Sequence, residues 1–370
     1  MQAALLEEES NGELKKTHYR SKPNPKGPKN SQTGKKFSAF KTAEKYYKFY
    51  KNKTTDFSNL IDVTLPPEQS NIPPETQKFT IQHPTTKKPL NCFKFASPAG
   101  LTLIKSYIPK KDQVLITQRA INTYINKPHR TNLYIYSDPV KKLTSKAYNK
   151  EHFIVSDPQK YHFNTKIRWS NLGKQYDWDN RGYLSLESPM PAELSEMALG
   201  VVKMLEMGDY NPEALIVNYY HWRNFMGGHL DDGEPDQEHA ILSFCFGLSC
   251  VFLIGGRTKE EEPIAIRLDS GDVLVMGKEA RLCYHGVPRI IEGSFDVDGY
   301  RGCFGEEELP GLGDGGGVSE FGLPMNTVEN VLRYMGESRV NMNFRQVVLV
   351  EEENIDGQGK EKGEEDENSA

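Results

Sequence analysis

Between Ala214 and Val350 the chain alternates short apolar runs with turns rich in Gly, Asp and Ser. "ALIVNYY", "AILSFCF", "CVFLIGG", "IAIRLDS", "DVLVMG" and "RVNMNFRQVVLV" follow one another at close spacing with a period of two, or as short continuous apolar blocks. That pattern predicts consecutive strands that close into a barrel or a two-sheet jelly roll. Upstream the period is helical. In "ELSEMALGVVKML", Leu194, Met197, Ala198, Val201, Val202 and Leu205 share one face, and Pro191 suits the first turn. Phe40, Ala43, Tyr47 and Tyr50 keep the same spacing with lysines between them, which predicts a short amphipathic basic helix docked on the body through Phe40, Tyr47 and Tyr50. Residues 112–126 and the capped segment "NTVENVLRYMG" are further helix candidates, whereas the seven prolines of 62–100 predict an irregular stretch. Residues 292–324, with ten glycines and no periodicity, are expected to be a mobile loop.

These patterns divide the chain into a disordered basic arm (1–36), an amphipathic basic helix region (37–60), an N-terminal extension with a nucleotide-recognition region (61–212), a jelly roll (213–350) and an acidic disordered tail (351–370). The expected fold class is mainly β with flanking helices. Charge sharpens the division. Thirteen Lys/Arg against the single Glu44 lie between Lys15 and Thr55, and nine Asp/Glu against two Lys lie in 351–370. A basic arm of this kind is a footprint for phosphates, since each one neutralised releases counterions. No apolar run approaches the roughly eighteen residues that span a bilayer, so no membrane role is expected. Five dispersed cysteines without a C-x-x-C suit a reducing compartment and no structural zinc. A nucleus or cytoplasm fits, with the mitochondrion left open, and a monomer is expected.

Candidate chemistry centres on "GGHLDDGEPD". In a strand, His229 and Asp231 project to the same face and present an imidazole beside a carboxylate. Those are two of the three ligands of the 2-His-1-carboxylate set that binds Fe(II) with open positions. His285 is the favoured third ligand, with His221 and His239 as rivals. Downstream, "RVNMNFRQV" places Arg339, Asn341, Asn343 and Arg345 on one face and Val340, Met342 and Phe344 on the other. Two arginines aimed into a jelly-roll interior need anionic partners. A dicarboxylate satisfies both through bidentate forks, and Asn218 and Tyr220, which share a face in "NYY", can hydrogen-bond the same anion.

Together, Asn218-x-Tyr220, His229-x-Asp231, His285 and Arg339-x-Asn341-x-x-x-Arg345 resemble the AlkB family of Fe(II)/2-oxoglutarate dioxygenases. "RWSNLGKQYDWDNRGY", "ILSFCFGLS", "FLIGG", "SGDVLVMG" and "NMNFRQV" resemble its AlkB-homologue-1 branch of nucleic acid dioxygenases, over roughly residues 40–350. The resemblance implies that His229, Asp231 and His285 hold Fe(II), with 2-oxoglutarate and O2 as cosubstrates. It implies that Arg339, with Asn218, Tyr220 and Asn341, binds the distal carboxylate of 2-oxoglutarate, and that Arg345 binds the carboxylate next to the keto group. The implied reaction is oxidative demethylation or hydroxylation of methylated bases, in tRNA (1-methyladenine or 5-methylcytosine), in DNA (N6-methyladenine), or in both.

The sequence departs from the bacterial pattern where an acid two residues after the metal aspartate contacts the base. Gly233 stands there, between Asp232 and Glu234, and Glu234 is the favoured substitute. Tyr176 and Trp178 are candidates to stack on a flipped base. Two other readings of the same core are a protein hydroxylase and a metal-bound scaffold without catalysis.

Overall fold

The structure is a computed structural model that describes residues 37–132, 167–178, 181–306, 308 and 327–348. The basic arm 1–36, the acidic tail 351–370 and most of the glycine-rich loop beyond Phe304 lie outside the described residues. The chain begins with α1 (Ala39–Tyr47), then β1 (Gln77–Gln82), β2 (Pro89–Lys94), β3 (Leu101–Ile104) and α2 (Lys110–Asn122). Next come β4 (Arg130–Thr131), β5 (Trp169–Asp177), β6 (Gly182–Ser188) and α3 (Ala192–Met204). The remaining strands are β7 (Ala214–His221), β8 (Met226–His229), β9 (Ile241–Gly247), β10 (Cys250–Ile254), β11 (Ile264–Leu268), β12 (Val273–Met276), β13 (His285–Ile290) and β14 (Ser338–Arg345). Two helices, α4 (Val297–Arg301) and α5 (Val328–Glu337), precede β14.

Ten strands form a major sheet in the order β1-β2-β3-β12-β9-β14-β7-β5-β4, with β6 paired to β5. A minor sheet runs β11-β10-β13-β8, and all pairings between these strands are antiparallel. The facing sheets share one core in which Tyr220, Ile241 and Cys245 meet Cys250, Phe252, Ile266 and Ile290. This is the expected jelly roll.

Alternation explains how the layers stack. On β14, Val340, Met342 and Phe344 point outward into a second core with Leu194, Ala198 and Val201 of α3 and Val331 and Leu332 of α5. On β10, Cys250, Phe252 and Ile254 face inward, while Val251 and Leu253 face outward and pack with Phe40 and Tyr47 of α1. A strand covered on both faces reads as a continuous apolar run, as "CVFLI" does.

Four expectations are corrected, the first being the mobile loop at 292–324, whose described part folds into α4 with Tyr300 buried and bonded to Gln113 at 2.6 Å. The helix in 37–60 ends at Tyr47: Phe40 and Tyr47 are buried, but Tyr50 lies beyond the helix and is 43% exposed. Ser38 caps the helix, its Oγ accepting from the Lys41 amide at 3.3 Å. The stretch 62–100 is not irregular throughout, because β1 and β2 pair across it and join the major sheet through β3. Its prolines fall where strands tolerate them, with Pro84 in the turn between the two strands and Pro89 opening β2. His229 and Asp231 do not share a strand, because His229 ends β8 and Asp231 lies beyond it. The segment that carries His285 is itself a strand that the sequence pattern did not reveal.

Candidate active site

His229 and His285 are cross-strand partners on β8 and β13. Their rings lie 4.4 Å apart, and side-chain ligand atoms of His229, Asp231 and His285 all fall within 4.8 Å of one another. Each imidazole has its Nδ1 3.0 Å from a backbone carbonyl, Gly227 for His229 and Cys283 for His285. A carbonyl only accepts, so each proton sits on Nδ1 and each Nε2 turns a lone pair toward Asp231, at 3.6 and 3.7 Å. Burial, then the neighbouring His229, push His285 down to about 4, which leaves it in the neutral, ligating form near pH 7. Burial opposes the charge on Asp231, yet the Arg345 guanidinium holds it well below the usual carboxylate range. Two neutral imidazoles and an ionised carboxylate fit Fe(II) with coordination positions left open. The rival histidines lie elsewhere: His239 Nδ1 pairs with Asp236 at 2.6 Å, and the His221 ring packs on Trp222.

The arginine strand faces the same space. A cavity of about 560 Å3 is lined by His229, Asp231 and His285 together with Asn218 and Tyr220 of β7 and Arg339, Asn341 and Arg345 of β14. The register brings them together, since Arg339 lies opposite Tyr220 and Asn341 opposite Asn218. Arg339 is 1% exposed. It donates to the Leu248 carbonyl at 3.0 Å, to Cys245 Sγ at 2.8 Å and to Asn341 Oδ1 at 3.3 Å, and its Nε has no hydrogen-bond partner. Among the described residues no carboxylate lies within ion-pair distance of it. A buried guanidinium with an orphaned N–H and no acid fits an incoming carboxylate.

Arg345 differs. Its Nη2 donates to Asp231 Oδ2 at 2.6 Å, and its Nε lies 2.9 Å from Glu234 Oε1. Glu234 lines the cavity but is 4% exposed, and its carboxylate also accepts from Tyr183 Oη at 2.9 Å and from Arg281 Nη2 at 3.0 Å. Arg281 and Tyr183 are site residues that sequence reasoning missed. Arg281 is 1% exposed and donates to the backbone carbonyls of Asp231, Asp236 and His239, so it pins the loop that carries Asp231. Nothing in "KEARL" sets it apart from a solvated turn arginine.

The mouth is aromatic. Tyr176 on β5, 9% exposed, and Trp178 just past it, 43% exposed, both line the cavity with ring centroids 4.8 Å apart. Tyr176 also lies against Gly233, where a Cβ would press on its ring, so the glycine at that position makes room for the tyrosine. Asp232, next to it, pairs with Arg181 at the rim.

Comparison with known proteins agrees with this geometry. The model of the 2OG-Fe(II) oxygenase superfamily matches residues 100–345. The chain is 29% identical over 350 residues to DNA N(6)-methyladenine demethylase ALKBH1A of Arabidopsis thaliana, covering 84% of this chain and 96% of that one. It is 30% identical over 274 residues to tRNA demethylase abh1 of Schizosaccharomyces pombe, covering 70% and 86%. It is 33% identical over 188 residues to human nucleic acid dioxygenase ALKBH1, covering 50% and 48%. With a jelly roll, a two-histidine-one-carboxylate cluster and a buried arginine lacking an acid in one cavity, this chain belongs to the 2OG-Fe(II) oxygenase superfamily as an AlkB-type dioxygenase that uses Fe(II), 2-oxoglutarate and O2.

Proposed function

We propose that this protein oxidatively removes or hydroxylates methyl groups on bases of nucleic acid, tRNA, DNA or both. In this reading the Nε2 atoms of His229 and His285 and the carboxylate of Asp231 hold the iron. Arg339, flanked by Asn218, Tyr220 and Asn341, takes the distal carboxylate of 2-oxoglutarate, and Arg345 takes the carboxylate beside its keto group. The bound iron and cosubstrate supply oxidative decarboxylation coupled to oxidation of a methyl C–H bond. The protein's own groups then do four things. The backbone carbonyls of Gly227 and Cys283 keep both imidazoles in the ligating tautomer. Arg345 keeps Asp231 ionised and oriented. Phe252 and Leu268 give the cavity an apolar wall that limits water inside it. Tyr176 and Trp178 stack on the base. A hydroxymethyl group formed on nitrogen collapses to formaldehyde, whereas one formed on carbon persists.

The observation that carries this reading is the cavity in which an acid-free buried Arg339 faces the three ligands. The nucleic acid comes from the relatives, whose names specify a DNA and a tRNA demethylase. The test is mass spectrometry of nucleosides from a panel of methylated tRNA and DNA, after incubation with Fe(II), 2-oxoglutarate and air. Loss of methylated base with matching succinate is expected. His229→Ala, Asp231→Ala and His285→Ala should abolish it, and His221→Ala and His239→Ala should not. Full activity of His285→Ala would sink the ligand assignment.

A further inference from the structure

Around the turn between β7 and β8 and the far end of β13 from His285, the surface carries a ridge of alternating aromatic and cationic side chains that the site above does not use. Phe49, just past α1, meets Trp222 edge-on with ring centroids 5.3 Å apart. The Arg289 guanidinium of β13 lies over Phe49 at 4.8 Å, and that of Arg223 over Trp222 at 4.3 Å. In the turn between β7 and β8, Lys48 Nζ covers Phe225 at 3.4 Å, although Phe225 remains 44% exposed. The turn runs straight into Met226 and Gly227, which line the cavity.

Charge is the second observation. Among the described residues, Lys45, Lys48, Lys53, Arg223 and Arg289 form no ion pair. The nearby acids are engaged or distant: Glu44 is buried and held by Lys41, Asp56 is held by Ser58 and Tyr46, and Glu292 reaches Arg289 only beyond ion-pair range. Arg289 Nε and Nη1 are buried without a hydrogen-bond partner. Cations left without acids, set on aromatic faces, match a polyanion that also carries flat rings.

We propose that this ridge binds an unpaired nucleic-acid strand flanking the base held in the cavity. The inference rests on the nucleic-acid reading and adds the path of the strand. Lys48, Arg223 and Arg289 take phosphates, and flanking bases stack on Phe225 and Trp222, as positively charged aromatic grooves hold single strands without reading sequence. A duplex presents phosphates to the cations but keeps its bases stacked inside, so the aromatic half of the ridge favours the single strand.

The test uses the full chain and a fluorescein-labelled, unmethylated oligothymidylate, alone and annealed to its complement, in anisotropy titrations at several salt concentrations. Wild type is expected to bind the single strand more tightly than the duplex. Phe225→Ala should weaken single-strand binding about tenfold and leave the duplex unchanged, since one stacked base is lost. Arg223→Gln should flatten the slope of log affinity against log salt by about 0.7, the loss of one single-strand phosphate contact. Both residues are exposed, so melting temperature and calorimetric 2-oxoglutarate binding should match wild type. Equal wild-type affinity for strand and duplex, or both variants binding the strand as wild type does, overturns the ridge. The reaction fails separately. If wild type oxidises no methylated base yet binds the strand in a manner that Phe225→Ala weakens, the ridge stands and the demethylase reading falls.

Discussion

Glu234 and Arg345 meet 2.9 Å apart, carboxylate oxygen to Nε, directly behind the aspartate of the ligand cluster. Both are buried, and Glu234 also answers Arg281. Removing it as Glu234→Ala leaves two buried guanidinium groups short of a counter-charge and should cost about 3–5 kcal/mol in denaturant unfolding. The milder Glu234→Gln should fold, yet let Arg345 drift and weaken calorimetric 2-oxoglutarate affinity about tenfold. If Glu234→Gln instead kept cosubstrate affinity and altered only which base is oxidised, the carboxylate would be reading the base.

Arg339→Lys tests the clamp. An ammonium cannot reproduce the planar fork, and Cys245, Leu248 and Asn341 are spaced around a guanidinium. Affinity for 2-oxoglutarate should fall by at least tenfold while metal affinity of the protein stays within about twofold, both read by calorimetry. Undiminished cosubstrate binding would remove Arg339 from the clamp.

Stability should depend on pH through His129. Burial pushes it down to about 4, and its Nδ1 lies 2.9 Å from Ser188 Oγ. An unfolded histidine titrates near 6.5, so between these values the unfolded chain binds the extra proton. Stability is therefore full above about 6.5 and is lost as pH falls toward 4, by about 3 kcal/mol from this group at the folded value of 4. His285 acts with the same sign in metal-free protein. Urea unfolding of His129→Gln across that window should be flatter than wild type, and parallel curves would assign the acid sensitivity elsewhere.

Gly228 is a packing prediction. A Cβ there would overlap the Phe40 ring of α1, next to His229. Gly228→Ala should shift α1 or β8 and lower metal affinity several-fold, and Phe40→Ala in the same background should recover part of it at a further cost in stability. Unchanged metal binding in Gly228→Ala would show that α1 yields without disturbing the ligand strand.

What the sequence disclosed follows from how much of each strand is covered. β14 was legible because one face meets helices and the other an anion-binding interior, so apolar and polar residues alternate without a break. β7, β9 and β10 were legible as apolar runs. β8 was not, because "MGGH" is half-buried throughout and two of its four residues are glycines that carry no side-chain pattern. β13 hides behind Pro288, and its register slips between His285 and Val287. The cluster of His229, Asp231 and His285 was visible through residue type and spacing, whereas Arg281 and Tyr183 act through contacts 47 and 51 positions away in the chain, and no local signal marks them.

The α1 helix leaning on β8 has a consequence for how the protein is made. Glu44 accepts from the Gly228 amide across 184 positions, and Arg345 reaches back 114 positions to Asp231. A ribosome that has just released His285 has delivered all three ligands but neither arginine of β14. Asp231 then lacks the guanidinium that orients it, and the β7 and β9 edges that flank β14 are unpaired. The cluster at His229, Asp231 and His285 is thus complete in the chain before the strand that orders it, and β14 closes the sheet between β7 and β9 last.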